Sequence, residues 1–460
     1  MKKTIVIIMI AAISGCSFIP KYERPALPVP SAWPDGVNKT VDHAGDISWQ
    51  KFFMDQSLKD IINLALANNR DLRVAILNVE QIRTEYRIGQ AMGLPAIDGT
   101  GSAERQHLPS QATAKGSSTT SSFYSVGLTV PSYELDLFGR VRSLKKQALE
   151  NYFASEQAGR NAQIILIAQV AAQYLSVCQL REQLQLTEKT LGSTDKYYQL
   201  IKKSYELGNA SKLDLKSVEA QLQTAFANKA DDERQLAQAK NALSFLIAAP
   251  LSDEMLGDHF SSADLMQDIP AGLPSDLLER RPDILEAEHN LKAANANIGA
   301  AKAAFYPKIT LTAFGGISSL KLTDLFTGGS AWNYSPQISL PIFDGGANKA
   351  SLDLARIGKR IEVANYEKAI QNAFREVADG LAARAAFVKQ LNAQAALVDA
   401  EQERYNLADV RYRNGVDNYL TVLLAQQDLY KAQQGLIQTR FNKLLNLIGL
   451  YKALGGGWGY

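Results

Sequence analysis

The sequence predicts a mainly α-helical chain, internally duplicated, whose four strands close into a transmembrane β-barrel only with strands from other copies. Three observations predict this class. Two stretches, Arg140 to Leu207 and Ala347 to Asn414, hold no proline and read as uninterrupted helices. Four shorter stretches alternate apolar and polar residues, the mark of strands with one oily face. Three landmarks also recur in order at nearly one spacing, which indicates duplication. Leu94-Pro95 and Tyr306-Pro307, each between a helical and a strand-like stretch, lie 212 positions apart. Leu135-Asp136-Leu137-Phe138-Gly139 and Leu340-Pro341-Ile342-Phe343-Asp344 lie 205 apart, and Tyr205-Glu206-Leu207-Gly208 and Tyr412-Arg413-Asn414-Gly415 lie 207 apart.

The first residues set the compartment. Lys2 and Lys3 precede an apolar run from Ile5 to Ile13, too short to span a bilayer and laid out as a secretory signal. Ile13-Ser14-Gly15-Cys16 resembles a bacterial lipobox, in which the cysteine becomes the first mature residue and carries lipid. Ser17 follows rather than Asp, which by resemblance to lipoprotein sorting favours the outer membrane of a Gram-negative cell. Acyl chains add about 0.8 kcal/mol of membrane affinity per buried CH₂, so lipid on Cys16 anchors the chain without spanning. Residues 1–15 are thus read as a lipoprotein signal peptide. Residues 16–56, rich in proline and poor in apolar periodicity, read as an extended arm. The other cysteine is Cys178. Ile164, Ala168, Ala171, Leu175 and Cys178 step along one helix face, which makes this thiol a small buried hydrophobe.

Residues 57–250 form the first repeat and 276–450 the second. Each reads helix, strand, strand, long helix, turn, returning helix. The first helices cover 57–93, broken near Asn68-Asn69, and 283–305. Asp276 with Glu279 caps a short turn before the second of these, and Pro282 suits a helix start. The strands are 96–104 with 122–131, and 308–317 with 331–342. In the last, Trp332, Tyr334, Pro336, Ile338 and Leu340 alternate with Asn333, Ser335, Gln337 and Ser339. The connections 105–121 and 318–330 are rich in Ser, Thr, Gly and Lys, as exposed hairpin loops are. The long helices, 140–207 and 347–414, are each on the order of 100 Å at 1.5 Å per residue. Ala350, Leu354, Ile357, Ile361 and Ala364 give the second a coiled-coil seam. Gly208 and Gly415 cap these helices, and 212–246 and 419–450 return antiparallel. Residues 251–275 are a loop-rich connector between the halves, and 451–460 a C-terminal segment.

Strands of about ten residues match the hydrocarbon thickness when tilted. Four cannot close a barrel, and open edges in lipid leave backbone N–H and C=O groups unpaired. Other copies of the chain must therefore close it. Two copies give eight strands, whose interior side chains would fill, so a pore calls for three or four copies. The residues alone do not choose between these. The helix connections all leave on the side opposite the hairpin loops. The helices therefore form a soluble bundle in the compartment that holds both termini, the periplasm for an outer-membrane lipoprotein.

Composition and motifs exclude other classes. Charged residues are 21%, hydrophobic ones 46% and the net charge +2, which fits neither a disordered chain nor a polytopic helical membrane protein and offers no field for nucleic acid. His43, His107, His259 and His289 are scattered, and none pairs with Glu in an H-E-x-x-H motif. Gly99-Thr100-Gly101 lies in a strand, and no nucleophile elbow or Walker loop is present. No catalytic residue, metal or cofactor is expected beyond covalent lipid on Cys16. Arg280-Arg281 reads as a solvated helix start rather than a phosphate clamp. A coiled-coil envelope spacer would explain the lipobox and long helices but not the four lipid-matched strands. A porin-like pore would not need the long helices.

The chain resembles the TolC-like outer-membrane channels of tripartite efflux systems over essentially its whole mature length. The residues that carry the resemblance are Cys16-Ser17 with Tyr22-Glu23-Arg24-Pro25, Tyr133 to Arg140, Arg280 to Ile284, Phe305-Tyr306-Pro307, Leu340 to Phe343, Gly415 to Leu420, and Tyr451 to Trp458. The resemblance implies a homotrimer with one twelve-stranded β-barrel, a periplasmic α-barrel and a mixed equatorial domain. It also implies a periplasmic adaptor (a membrane fusion protein) and an inner-membrane transporter of the resistance-nodulation-division type as partners.

The turns at Gly208-Asn209 and Gly415-Val416 are expected at the periplasmic tip, which in the resembled family meets the adaptor. A channel this wide must constrict there. Asp417, Leu420, Thr421, Leu424 and Asp428 fall near one face of the helix after Gly415. If that face looks inward, Leu420 and Leu424 form an apolar gate that blocks ions by dewetting, with Asp417 as a separate acidic ring. The resemblance implies an acidic residue at position 424 and an Arg or polar partner near Gln427; this chain has Leu424.

Overall fold

The computed structural model describes residues 17–30, 33, 47–112, 117–256, 277–327 and 329–457. The expected lipid site Cys16, the capping residue Asp276 and the side chain of Glu279 lie outside the described residues, as does most of the 251–275 connector. In chain order the helices and strands are α1 (Trp49–Phe52), α2 (Gln56–Asn68), α3 (Arg70–Ala91), β1 (Asp98–Leu108), β2 (Thr119–Glu134), α4 (Arg140–Glu206), α5 (Lys212–Ile247), α6 (Leu277–Arg280), α7 (Pro282–Ala303), β3 (Lys308–Ser319), β4 (Ser330–Ser339), α8 (Ala347–Arg413) and α9 (Tyr419–Ala453). Both long helices run 67 residues without a break.

The chain folds into two compact units, and neither is a repeat. One unit takes the N-terminal residues up to Ala26 with 78–156 and 286–367; the other takes 27–77, 157–285 and 368–460. Each therefore draws on both halves of the sequence.

In the first unit the strands form one antiparallel sheet in the order β1-β2-β3-β4. Among the described residues, β1 and β4 each keep an unpaired edge. The register aligns Gly99, Leu128, Gly315 and Trp332 in one cross-strand row, and Val130, Ala313 and Tyr334 in the next row on the same face. That face is the apolar one, and its large residues are exposed: Trp332 is 73% and Ile338 68% accessible in the single chain. Pro131, which has no N–H to give, sits in the register shift between Val130 and Tyr133. On the opposite face the Phe314 ring covers the Gly127–Gly316 pair, where a Cβ on either glycine would strike backbone. β1 and β2 run past the expected ends, to Leu108 and from Thr119, so the loop between them is shorter than 105–121. β4 stops at Ser339, and Ile342 and Phe343 stand outside the sheet, 95% and 92% exposed. The α8 seam behaves likewise: Leu354, Ile357 and Ile361 are all exposed among the described residues.

The N-terminal arm lies as a strap along α7, from its C-terminal end toward its N-terminus. Phe18 stacks on Tyr306 at 4.5 Å, and Tyr306 stacks on Phe138 at 5.0 Å. Ile19 crosses Gly299 so closely that a Cβ there would lie 2.7 Å from its Cγ1. Asn295 donates to the Pro20 carbonyl at 2.7 Å. Arg24 donates twice to the buried Glu288 carboxylate, at 3.1 and 2.9 Å, and the Tyr22 hydroxyl donates to it at 3.0 Å. Burial alone would raise the Glu288 carboxyl. The bond from Arg24, with Lys292 and Tyr22, outweighs burial and holds it below the usual carboxylate range.

The second unit holds the deeper core. Leu58, Ile61, Ile62 and Ala65 of α2 are fully buried, as are Val170, Ala171 and Leu175 of α4. Asp55 caps α2 through the Ser57 N–H at 2.9 Å and accepts from Tyr174 at 2.6 Å. Asn69 breaks the first helix as expected: its side chain accepts from the Leu72 N–H and donates to the Leu246 carbonyl. Cys178 is buried, and burial pushes its thiol up to about 11. Arg281 corrects the expectation of a solvated helix start. Its side chain is buried and bonded to Asp283, to Glu376 at 2.9 Å and to the Ala453 carbonyl at 2.8 Å. It ties the start of α7 to α8 and to the end of α9, a role that local sequence around Arg280-Arg281 does not reveal.

Candidate gate and tip at the two helix turns

The two expected tip turns are built alike. Gly208 has φ 77° and Gly415 φ 72°, left-handed values that favour glycine. In each turn the next N–H reaches back five residues, Asn209 to Ser204 at 2.8 Å and Val416 to Arg411 at 3.0 Å. Each glycine N–H reaches back three, closing the Schellman pattern. The returning helices are then capped. Ser211 and Asp214 form a reciprocal capping box on α5, and Asn418 accepts from the Thr421 N–H on α9. Leu207 and Val416 stand exposed beside these turns.

α9 is two-faced from its first turn. Tyr419, Val422, Leu423 and Ala425 are buried with Tyr197, Ile201 and Val218 of the neighbouring helices. Leu420 and Leu424 lie on the other side, 51% and 49% exposed, with exposed Thr421 between them. They therefore do not pack between the helices of their own chain. Asp428, one turn further, accepts from Arg404 of α8 at 2.6 Å.

Asp417, expected in a separate acidic ring, is ion-paired within its own chain. Arg411 donates to both its oxygens, at 2.6 and 3.1 Å, across the α8–α9 turn. This hydrogen-bonded guanidinium holds the Asp417 carboxyl below the usual range. The pair spans the Gly415 turn, so it braces that turn and the Asp417 charge is compensated. Its spacing of six residues matches no helical rule, and the turn geometry is what brings the two together.

Beside the apolar cluster around Tyr419, most of the polar contacts between the α8–α9 pair and α4–α5 are neutral hydrogen bonds. Gln427 donates to Gln221 at 2.7 Å, Gln426 to Thr194 at 3.2 Å, and Tyr430 pairs with Thr187 at 2.8 Å. Tyr197 donates to Asp409, which also accepts from Arg413. Burial, reinforced by Asp409, pushes the Tyr197 hydroxyl up. Of these, only Gln427 carries a sequence expectation, that of a polar partner nearby, and its partner is Gln221.

Comparison with known proteins places this architecture. The profile of the family described as outer membrane efflux protein matches residues 61–249 and 273–456. The probable efflux pump outer membrane protein TtgC of Pseudomonas putida is 48% identical over 452 residues, 97% of this chain and 93% of its own length. The solvent efflux pump outer membrane protein SrpC of the same species is 45% identical, covering 99% of this chain and 98% of its own. Among solved structures, the open state of the MtrE outer membrane channel of Neisseria gonorrhoeae superposes with a TM-score of 0.88 at 37% identity, over 96% of this chain and 99% of that one. The chain belongs to the outer membrane efflux protein family, with that family's duplicated fold, four strands per chain of a trimeric barrel and a large periplasmic helical portion.

Proposed function

We propose that this protein is the exit channel of a tripartite efflux pump. In this reading it passively conducts drugs or other small toxic compounds from the periplasm to the exterior, through a trimeric pore gated at its periplasmic tip. The whole-length likeness to efflux-pump outer membrane proteins carries the reading. One of those relatives is named for antibiotics and others for toluene or solvent. The partners are a periplasmic adaptor and an inner-membrane transporter of the resistance-nodulation-division type, and Cys16 carries the lipid anchor. Deleting the gene should sensitise cells to antibiotics or organic solvents, and the intact gene should restore resistance. Unchanged sensitivity across both classes would remove the efflux role.

The gate in this proposal is the exposed face of α9. Three copies stack Leu420 and Leu424 into apolar rings, and water leaves such a constriction before ions can cross. Opening requires the α8–α9 pair to move away from α4–α5. Each neutral hydrogen bond between them contributes only about 0.5–1.5 kcal/mol, and the apolar cluster around Tyr419 and Val422 adds to the cost, which an adaptor that binds the open tip better must offset. Gly208, Asn209, Gly415 and Val416 are the proposed adaptor contacts. A valine at position 208 or 415 meets open space but not an acceptable backbone conformation, at a cost of about 2 kcal/mol. Gly208→Val and Gly415→Val should therefore lose efflux while trimer and barrel persist, measured by dye accumulation and by heat-resistant oligomer on gels. Normal pumping by both variants would refute the tip assignment.

A further inference from the structure

Within the sheet the two repeats meet once, where β2 ends beside the start of β3. Tyr133 pairs with Leu311 and Glu134 with Thr310, and the Leu135 N–H donates to the Ile309 carbonyl at 2.9 Å. Just beyond these strands Phe138 stacks on Tyr306 at 5.0 Å, and Glu134 pairs with Arg140 at 2.5 Å and with Lys308 at 3.5 Å. The duplication supplies counterparts of these residues at the free edges of β4 and β1. At the spacing of 205, Phe138 corresponds to Phe343 and Leu135 to Leu340; at the spacing of 212, Tyr306 corresponds to Leu94 and Ile309 to Ile97. All four counterparts are apolar and exposed in the single chain, Phe343 at 92% and Leu94 at 71%. They belong to opposite edges of a four-stranded sheet, too few strands to bring those edges together.

From this correspondence we infer that a second copy of the chain completes the edge junction as the inner one is completed. Phe343 packs on Leu94 of the next copy, and β4 pairs with that copy's β1 so that Ile338 faces Gly99 and Ser339 faces Asp98. The inference rests on the trimeric barrel and specifies its seam. The two faces of the sheet satisfy this register independently. Ile338 pairs with Ile309 on the apolar face, and Gly99 lies on that same face in the row of Leu128 and Gly315. A slip of one residue would set the apolar face against the polar one. Continued along the strand, the register places Pro336 opposite Gly101 and Tyr334 opposite Ala103, each large ring beside a small neighbour. The seam differs from the inner junction in its charge. Glu134 and Lys308 correspond to Ser339 and Ala96, so that ion pair has no counterpart and the contact between copies is apolar.

The test joins the seam covalently. Ser339→Cys and Asp98→Cys are placed together in the full-length chain, oxidised in isolated outer membranes and read on non-reducing denaturing gels. Facing positions on neighbouring strands lie about 5 Å apart, within the reach of a disulfide. The expected result is a covalent species of three chains that reductant returns to single chains, with no such species from either single variant. Ser339→Cys with Ser102→Cys, four residues further along the same face of β1 and about 14 Å away, should not link. Should the linking pair not assemble, Leu94→Ala and Phe343→Ala read the same contact. Each should lower the temperature at which the heat-resistant oligomer dissociates, and together they should lower it by less than the sum of the two. Linkage through position 102 and not 98, no linkage in an intact trimer, or fully additive shifts overturns this seam and leaves the trimer standing. Absence of any oligomer from the wild type removes the trimer and the seam with it.

Discussion

Leu424→Ser is expected to convert a closed channel into a leaking one. Leu420 and Leu424 share the face of α9 opposite its buried side, and each is about half exposed. The serine shortens the side chain and supplies a hydroxyl, so the ring both widens and wets. A fall of about 1.4 kcal/mol in the barrier to ion entry gives about tenfold higher conductance. The fold should not suffer, because an exposed apolar side chain contributes little to the core. Planar-bilayer recordings of wild type and variant measure the effect directly, and cells carrying the variant should become sensitive to bulky antibiotics. Equal conductance with intact trimers would move the gate elsewhere. Leu420→Ser is expected to act in the same direction. Asp417→Asn is not, because Arg411 already compensates that charge.

Gly316→Val should abolish assembly. A Cβ at Gly316 would lie 2.3 Å from the Val126 carbonyl oxygen and 2.6 Å from the Gly127 Cα. β2 and β3 must separate to admit it, which strips a central ladder of its hydrogen bonds in a medium that offers no replacement. Phe314, whose ring lies over this glycine pair, would also be displaced. The expected result is loss of heat-resistant oligomer and of outer-membrane protein. Gly315→Val, one residue away with open space around it, is the control and should assemble. Equal assembly of both variants would contradict the packing described here.

The helices were legible because proline-free runs, glycine caps and apolar periodicity are local signals. Arg140–Glu206 and Ala347–Arg413 fall within a residue of their expected ends for this reason. Strand ends were less legible. β1 continues through Glu104, Arg105 and Gln106, whose polarity suggests a loop, because pairing with β2 sustains it above the apolar band. The two-unit organisation is not legible, since it is made by contacts between halves such as Thr187 with Tyr430. Arg281 and the Arg411–Asp417 brace escaped for the same reason. Their partners are distant in sequence or meet only through a turn. Leu420 and Leu424 share a helix face in the sequence, but which face of α9 is buried follows only from its packing against Tyr197, Ile201 and Val218. In the sequence the strap reads only as an extended arm. The glycine at 299 that admits it lies inside a helix, where nothing local distinguishes it from any other small residue.

The central claim is that four strands per chain become a pore only by sharing one barrel among copies. Native mass spectrometry of the full-length protein, extracted from membranes in mild detergent, tests this most directly. The account predicts a single species of three chains that persists on dilution. A monodisperse monomer would contradict it, because the free edges of β1 and β4 would then have to be tolerated without partners.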